Sequence, residues 1–404
     1  MSEKWPSAFA GINWLDESEE QAVLDVLRTG SLFRYYGPGE PGHAARLEER
    51  ARDFYGVKHA LAVSSGTGAL FTAMSAMGIG PGDEVIVPAF MWVATVSAVV
   101  HCNAVPVLCE VDDSFTMDPA DLERKITPHT KLIVVVHMAG VPSDMGRILA
   151  VADARGISVL EDCAQCNGGS FRGKKVGTFG RVGMFSFQIN KNVTAGEGGL
   201  LVTDDEEVYW RMNAAHDLGV PWGKKEPVSG ETALLWGQGR RMSELCGAVA
   251  NVQIGKLAKI VDHMRESNHR IQTALKDVPN LAFRRLNDPE GDTGPFLILV
   301  LPDEAAAVAA VAKMQQGKLS GACRVADYGM HVYCNMPQLV AKTPLSPAGN
   351  PWSLPQNAKL ARDYAKGACP AADALFARSI ILNIPSRLSR EQEQAIVQAV
   401  KAAL

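Results

Sequence analysis

The chain lacks the features that mark several large protein classes. Its 404 residues carry 40 Lys and Arg against 44 Asp and Glu, a net charge of −4. A balance of that kind leaves no basic footprint for nucleic acid. There is no internal repeat, charge block or low-complexity stretch, and so no sign of a disordered linker. The opening Met-Ser-Glu-Lys-Trp-Pro has no signal-peptide pattern, which points to the cytoplasm. The one long stretch without Lys, Arg, Asp or Glu, Val85 to Cys109, is interrupted by Pro88, His101, Asn103 and Pro106. Strand, helix and strand fit it better than a membrane span: Val85–Val87, Trp92–His101, Val105–Leu108.

Cysteine is present without a framework. The eight cysteines are scattered, and at this length without a secretory signal a disulfide scaffold is not expected. Cys163 and Cys166 form a CxxC that reads as a redox pair or as part of a turn. No second CxxC or histidine pair completes a zinc set, so no metal is expected.

What the chain does have is a long alternation of strand-length apolar runs and helix-like segments. Strands are expected at Ala60–Val63, Val85–Val87, Val105–Leu108, Leu132–Val136, Ser158–Leu160, Met184–Phe187 and Leu200–Val202. Helices are expected at Ala69–Met77, Trp92–His101, Pro119–Ile126 and Met145–Ala154. Unbroken Val/Ile/Leu runs joined by helices predict a mostly parallel sheet covered on both faces. From about Lys256 a long helical pattern runs to Leu275. A strand at Phe296–Leu301 and helices at Ala305–Gln316 and Arg390–Leu404 follow. The expected division is a large α/β domain over 1–260 with an N-terminal arm and a smaller α+β domain over 261–404.

Ligands of such sheets sit beyond the strand C-termini, where four motifs fall. Ser64-Ser65-Gly66-Thr67-Gly68 follows a strand and opens an alanine-rich helix; it reads as an anion cradle or as an ordinary helix cap, and no Gly-Lys-Ser/Thr makes it a Walker loop. Trp92 is a lid for a planar heterocycle or a core aromatic. Asp162, ending Val159-Leu160-Glu161-Asp162, is a structural carboxylate or the partner of a cation; Gln165 follows as a ligand-binding or turn amide. Lys191 ends Gly183-Met-Phe-Ser-Phe-Gln-Ile-Asn-Lys ahead of Gly196, Gly198 and Gly199. It is a surface lysine in a turn or a desolvated Schiff-base nucleophile. One cofactor calls for anion cradle, aromatic lid, carboxylate and lysine together: pyridoxal 5′-phosphate, PLP.

These segments, with Gly82-Asp-Glu-Val-Ile-Val-Pro88 and Phe185-Ser186-Phe187 through Lys191 to Gly199, resemble the DegT/DnrJ/EryC1/StrS family. Its members are sugar and cyclitol aminotransferases of PLP fold type I. The resemblance runs from about Gly37 to Leu257 and more loosely to the C-terminus. It implies Lys191 as the Schiff-base lysine and Asp162 as partner of the pyridine nitrogen. It further implies Gln165 near the ring hydroxyl, Trp92 stacking, and Ser186 with Ser65, Gly66 and Thr67 holding phosphate. Glutamate or glutamine would be the donor, a sugar-like carbonyl compound the acceptor, in a ping-pong cycle on a homodimer with shared sites. Members with histidine at the lysine position are dehydratases, so lysine favours amino transfer. A PLP enzyme of other outcome, a dehydratase or decarboxylase, and a non-catalytic regulator of the same fold are the alternatives.

The resemblance also leaves differences. The family's Gly-x-Asn-x-Arg-Met reads Gly237-Gln-Gly239-Arg240-Arg241-Met242, with Gly239 where asparagine reaches the neighbouring subunit's phosphate; Arg240 or Arg241 is a substitute or a structural ion pair. Gly30-Ser-Leu-Phe-Arg34-Tyr35-Tyr36 and Asn287-Asp-Pro-Glu-Gly-Asp292 are similar to the branch that aminates an octulosonic acid at C8. Arg34 is then expected to pair with an acceptor carboxylate or phosphate or to be solvated. Tyr35, His331 and Tyr333 are further candidates for the acceptor pocket.

Overall fold

The computed structural model describes residues 5–40, 42–219, 221–222, 235–316, 319, 321–360 and 362–404. Its strands are β1 (His59–Val63), β2 (Glu84–Pro88), β3 (Val105–Cys109), β4 (Thr130–Val136), β5 (Ser158–Asp162), β6 (Ser170–Phe171), β7 (Lys174–Lys175), β8 (Val182–Ser186), β9 (Gly199–Thr203), β10 (Ala282–Phe283), β11 (Phe296–Val300), β12 (Cys323–Arg324) and β13 (Ser379–Asn383). The α-helices are α1 (Glu17–Thr29), α2 (His43–Tyr55), α3 (Gly66–Ala76), α4 (Val93–His101), α5 (Pro119–Lys125), α6 (Met145–Asp153), α7 (Glu206–His216), α8 (Glu244–Leu275), α9 (Glu304–Gln316), α10 (Pro337–Val340), α11 (Pro370–Ala377) and α12 (Arg390–Ala403).

Seven strands form one sheet in the order β1-β9-β8-β5-β4-β2-β3. Pairing is parallel from β8 through β3, and β9 is antiparallel to both β8 and β1. The expected strands each match an observed one to within two residues at either end. Successive side chains point to opposite faces, and both faces are covered. Leu61, Val63, Val85, Val87, Leu160 and Met184 pack with Leu70, Met74, Val96 and Met212 of α3, α4 and α7. Ala60, Ala62, Phe185 and Leu200 pack with Leu47 and Leu257 of α2 and α8, while Ile133 and Val135 meet Leu122 and Ile148 of α5 and α6. The charge-free stretch from Val85 to Cys109 is β2, α4 and β3, and no helix among the described residues is long and apolar enough to cross a membrane.

Helix starts follow local chemistry. Asp16 and Glu19 form a capping box at α1, and Ser389 and Gln392 do the same at α12. At α3 the Ser65 hydroxyl accepts from the Gly68 amide at 2.9 Å. A second, antiparallel sheet, β10-β11-β13-β12, lies against α9 and α12. Helix α8 runs through residue 260 without a break. The stretch carrying Val325, Tyr333, Tyr364 and Phe376 belongs to the same hydrophobic cluster as β2 and α4. Its Tyr364 donates to the Pro106 carbonyl at 2.7 Å.

Candidate active site

The C-terminal ends of β1, β2, β4, β5 and β8 open onto a cavity of about 370 Å³, within the range of small-molecule sites. Nine of the residues singled out in the sequence line it: Ser65, Gly66, Thr67, Trp92, Asp162, Gln165, Ser186, Lys191 and His331.

Asp162 is the last residue of β5 and is 4% exposed. Its Oδ2 accepts from the Thr95 hydroxyl at 2.8 Å and its Oδ1 from the Ala164 amide at 3.1 Å. Thr95 is fully buried one turn into α4 and was missed in the sequence; a hydroxyl on the inner face of Val-Ala-Thr-Val-Ser-Ala-Val-Val was the available signal. The neighbouring Glu161 turns to the opposite face. It accepts from the amides of Gly177, Phe179 and Gly180 at 2.8, 2.6 and 2.7 Å and from His137 Nε2 at 3.0 Å. His137 Nδ1 accepts from the Ser143 amide, so Nε2 carries the proton. His137, Glu161 and Cys163 stand close enough together to suggest a metal centre, but the histidine and carboxylate are engaged by one another and by backbone.

Lys191 lies five residues past β8, in a turn rather than at the strand end itself. The hairpin continues irregularly around it: Phe187 donates to the Gly198 carbonyl at 2.9 Å, Ala195 to Phe187 at 2.9 Å and Ile189 to Gly196 at 3.1 Å. Burial holds the Lys191 amine below the ordinary lysine pKa, with the Asp162 charge acting in the opposite sense. Lys191 and Asp162 line the same cavity.

At the start of α3 the backbone passes hard against β8. A Cβ on Gly66 would stand 2.7 Å from Ser186 Cβ and 2.9 Å from its Oγ, so only glycine fits there. The start of α3 at Ser65, Gly66 and Thr67 and the end of β8 at Ser186 thus share one wall of the cavity. A phosphate monoester matches that wall, as a carbonyl compound matches Lys191 and a protonated ring nitrogen matches Asp162. Gln165 is held by the Ala139 amide, which donates to its Oε1 at 3.0 Å. Trp92, 40% exposed, lies with its ring centroid 4.6 Å from that of His331, which stacks on Tyr328 at 4.3 Å. Burial depresses the His331 pKa to about 4. Residues the sequence did not suggest, Tyr328, Glu197 and Asn383 among them, complete the lining.

Three candidates stand elsewhere. Arg34 is buried, donating to Glu48 Oε1 at 2.6 Å and to the Ala62 carbonyl at 2.7 Å, and does not line the cavity. Its charge is committed to an internal pair, so it is neither solvated nor available to an acceptor; removing one partner of such a pair costs about 3–5 kcal/mol. Tyr35 stacks on Trp222 at 4.6 Å and its hydroxyl meets His216 Nε2 at 2.7 Å. Tyr333 is fully buried, with its hydroxyl on Asp373 and accepting from the Gly367 and Cys369 amides. The segment from Asn287 to Asp292 is likewise absent from the cavity lining; its Asp288 accepts from the Arg172 amide at 2.6 Å. Gly239 has φ +64, a region where asparagine is also tolerated, and a Cβ there meets nothing within 4 Å. Arg241 pairs with Asp217, and Arg240 lies over the Phe71 ring at 4.1 Å.

Sheet, cavity and strand-end residues together define a PLP-dependent transferase fold of type I. The chain belongs to the DegT/DnrJ/EryC1/StrS aminotransferase family, whose model matches residues 13–337. It is 41% identical over 265 residues to the L-glutamine:2-deoxy-scyllo-inosose aminotransferase of Streptomyces kanamyceticus, covering 64% of this chain and 62% of that one. It is 37% identical to GDP-perosamine synthase of Vibrio cholerae over 68% of this chain and 72% of that one. The match thus spans under two thirds of the length of the inosose aminotransferase. An aminotransferase from Psychrobacter cryohalolentis superposes with a TM-score of 0.82 at 25% identity, covering 99% of this chain and 98% of that one. The 3-amino-5-hydroxybenzoic acid synthase structure does so at 0.79 and 26%, with the same coverages.

Proposed function

We propose that the protein is a PLP-dependent aminotransferase that moves an amino group from glutamate or glutamine to the carbonyl of a sugar, sugar acid or cyclitol. The observation that carries this reading is the partly desolvated Lys191 amine in one cavity with buried Asp162 and the Gly66–Ser186 anion wall. PLP bound there supplies an aldehyde for the lysine and a pyridinium that withdraws electrons. Asp162, oriented by Thr95 and Ala164, holds the ring proton; Gln165 and Trp92 orient the ring; Lys191 moves the proton at the reacting carbon. The names of the relatives support a polyhydroxylated acceptor, and the internal commitment of Arg34 removes the one residue that argued for an acidic one.

The test loads the protein with PLP, adds glutamine or glutamate, and follows the bound chromophore. The donor is expected to bleach it, and an inosose, ketosugar or nucleotide ketosugar to restore it. A chromophore that no donor bleaches would sink amino transfer; products lacking oxygen or carboxylate would point to the dehydratase or decarboxylase.

The reading includes a homodimer in the cytoplasm. All eight cysteines are free, as a reducing compartment allows. Tyr36, Leu218 and Trp236 are 65, 70 and 95% exposed, and Tyr36 lies 6.4 Å from Trp222. Large exposed apolar side chains support a two-fold interface. Trp236→Asp is expected to shift the protein from dimer to monomer in sedimentation velocity, by at least about tenfold in dissociation constant.

A further inference from the structure

We propose that the N-terminal segment from Ala8 to Trp14 is a wall of the active site that positions the Lys191 turn and ties it to the segment following β13. This rests on the reading of Lys191 as the reactive amine. Ala8 and Ala10 line the cavity beside Lys191, and Asn383 and Ile384 line it from the β13 side. The Gly11 amide donates to the Lys191 carbonyl at 3.2 Å, a bond made to the residue that carries the amine. The approach is tight: a Cβ on Gly11 would stand 3.0 Å from the Thr194 amide nitrogen and 3.2 Å from the Asn192 carbonyl oxygen, so a methyl there pushes the turn back by a few tenths of an ångström.

The segment is anchored at Ala10, Asn13 and Trp14. Asn13 Nδ2 donates to the Ser386 carbonyl at 3.2 Å and to its hydroxyl oxygen at 3.1 Å, and the Ser386 hydroxyl donates to the Ala10 carbonyl at 2.7 Å. Ser386 is fully buried, two residues past the cavity-lining Ile384. Trp14 is buried, with Arg387 4.3 Å over its ring, and its carbonyl accepts from Lys256 Nζ at 2.9 Å. On the far side the turn is held by buried Asn192, which donates to the Asn167 carbonyl at 3.0 Å, and by Thr194, whose hydroxyl donates to Phe187. The Lys191 backbone therefore sits between Gly11 on one side and β8–β9 on the other. A shift of either wall moves the amine relative to Asp162. Gly11 and Asn13 touch no reacting atom and are positioning residues.

The experiment follows, in full-length protein freed of cofactor, the labelling of Lys191 by an amine-specific reagent against pH, located by mass spectrometry. It is paired with kcat and KM of the loaded enzyme. Gly11→Ala is expected to raise the labelling midpoint by about half a unit or more, because the displaced turn exposes the amine. It is also expected to lower kcat about tenfold, with donor KM unchanged within about twofold. Asn13→Ala, half-buried and outside the cavity, is the variant that keeps the fold. It is expected to raise the midpoint in the same sense and to lower kcat about threefold. Phe9→Ala, on the same segment but off the wall, is expected to match the wild type in both. Wild-type midpoints and kcat in Asn13→Ala, with only a lower melting temperature, would overturn the proposal. Failure of Lys191 to carry a cofactor would show separately, as wild-type protein in which borohydride fixes no PLP to it; the amine titration would still read the wall.

Discussion

Lys191→Ala is expected to lower kcat/KM for amino transfer by roughly 10⁴-fold or more, because it removes both the nucleophile and the group that moves the proton. The amine sits in a turn pinned by backbone bonds from Phe187, Ile189 and Ala195, so truncating the side chain leaves the turn in place. The variant should therefore melt near the wild type and still bind PLP at the Gly66–Ser186 wall, without the covalent attachment that borohydride fixes. Lys191→Arg sharpens the result. Its guanidinium keeps a charge but cannot act as the amine, and it is expected to be as inactive. Turnover within tenfold of wild type in the alanine variant would exclude Lys191 from the chemistry.

Asp162→Asn is expected to reduce kcat about 10²- to 10³-fold, the scale of losing one oriented electrostatic partner in a buried site. The replacement is close to isosteric, and an amide oxygen can still accept from Thr95 or Ala164, so stability should change little. A second readout separates charge from shape. Asp162 opposes the depression of the Lys191 pKa, so removing its charge should lower that pKa further in cofactor-free protein. Thr95→Val, which keeps the charge but loses the 2.8 Å bond that orients it, is expected to cost about tenfold in kcat, about 1.4 kcal/mol. It should move the lysine titration much less. Equal losses in the two variants would mean that orientation, not charge, is what Asp162 contributes.

The strands of the large sheet were legible because each is a short, mostly apolar run buried on both faces, a pattern that survives without knowing its neighbours. The elements passed over were less regular or stood outside that alternation. Helices α1 and α2 precede it, α7 has weak periodicity, and the run Ser-Ile-Ile-Leu-Asn of β13 sits in a loop-rich region. Side-chain roles split along the same line. Ser65 and Asp162 could be found because strand ends place them, and Lys191 because it lies in the glycine-rich turn that follows β8. Arg34, Tyr35 and Tyr333 stand outside the cavity lining, which their local sequence did not show: a charged or aromatic residue in a loop carries no mark of whether its partner is a ligand or Glu48, Trp222 or Asp373.

By itself, the sequence determined the fold class, the edge of the sheet where the cavity opens, and Lys191, Asp162 and the Ser65–Thr67 helix start that line it. These follow from local pattern: apolar period, helix start, and the residue at each strand's end. Only the tertiary structure decided which further groups share the cavity. Thr95 reaches the cavity-lining Asp162 across 67 residues of chain, and Tyr328 and the segment from Ala8 to Trp14 come to the cavity across 137 and about 180 residues from Lys191. Contacts at such separations depend on how whole elements pack, and no local signal in the chain encodes them.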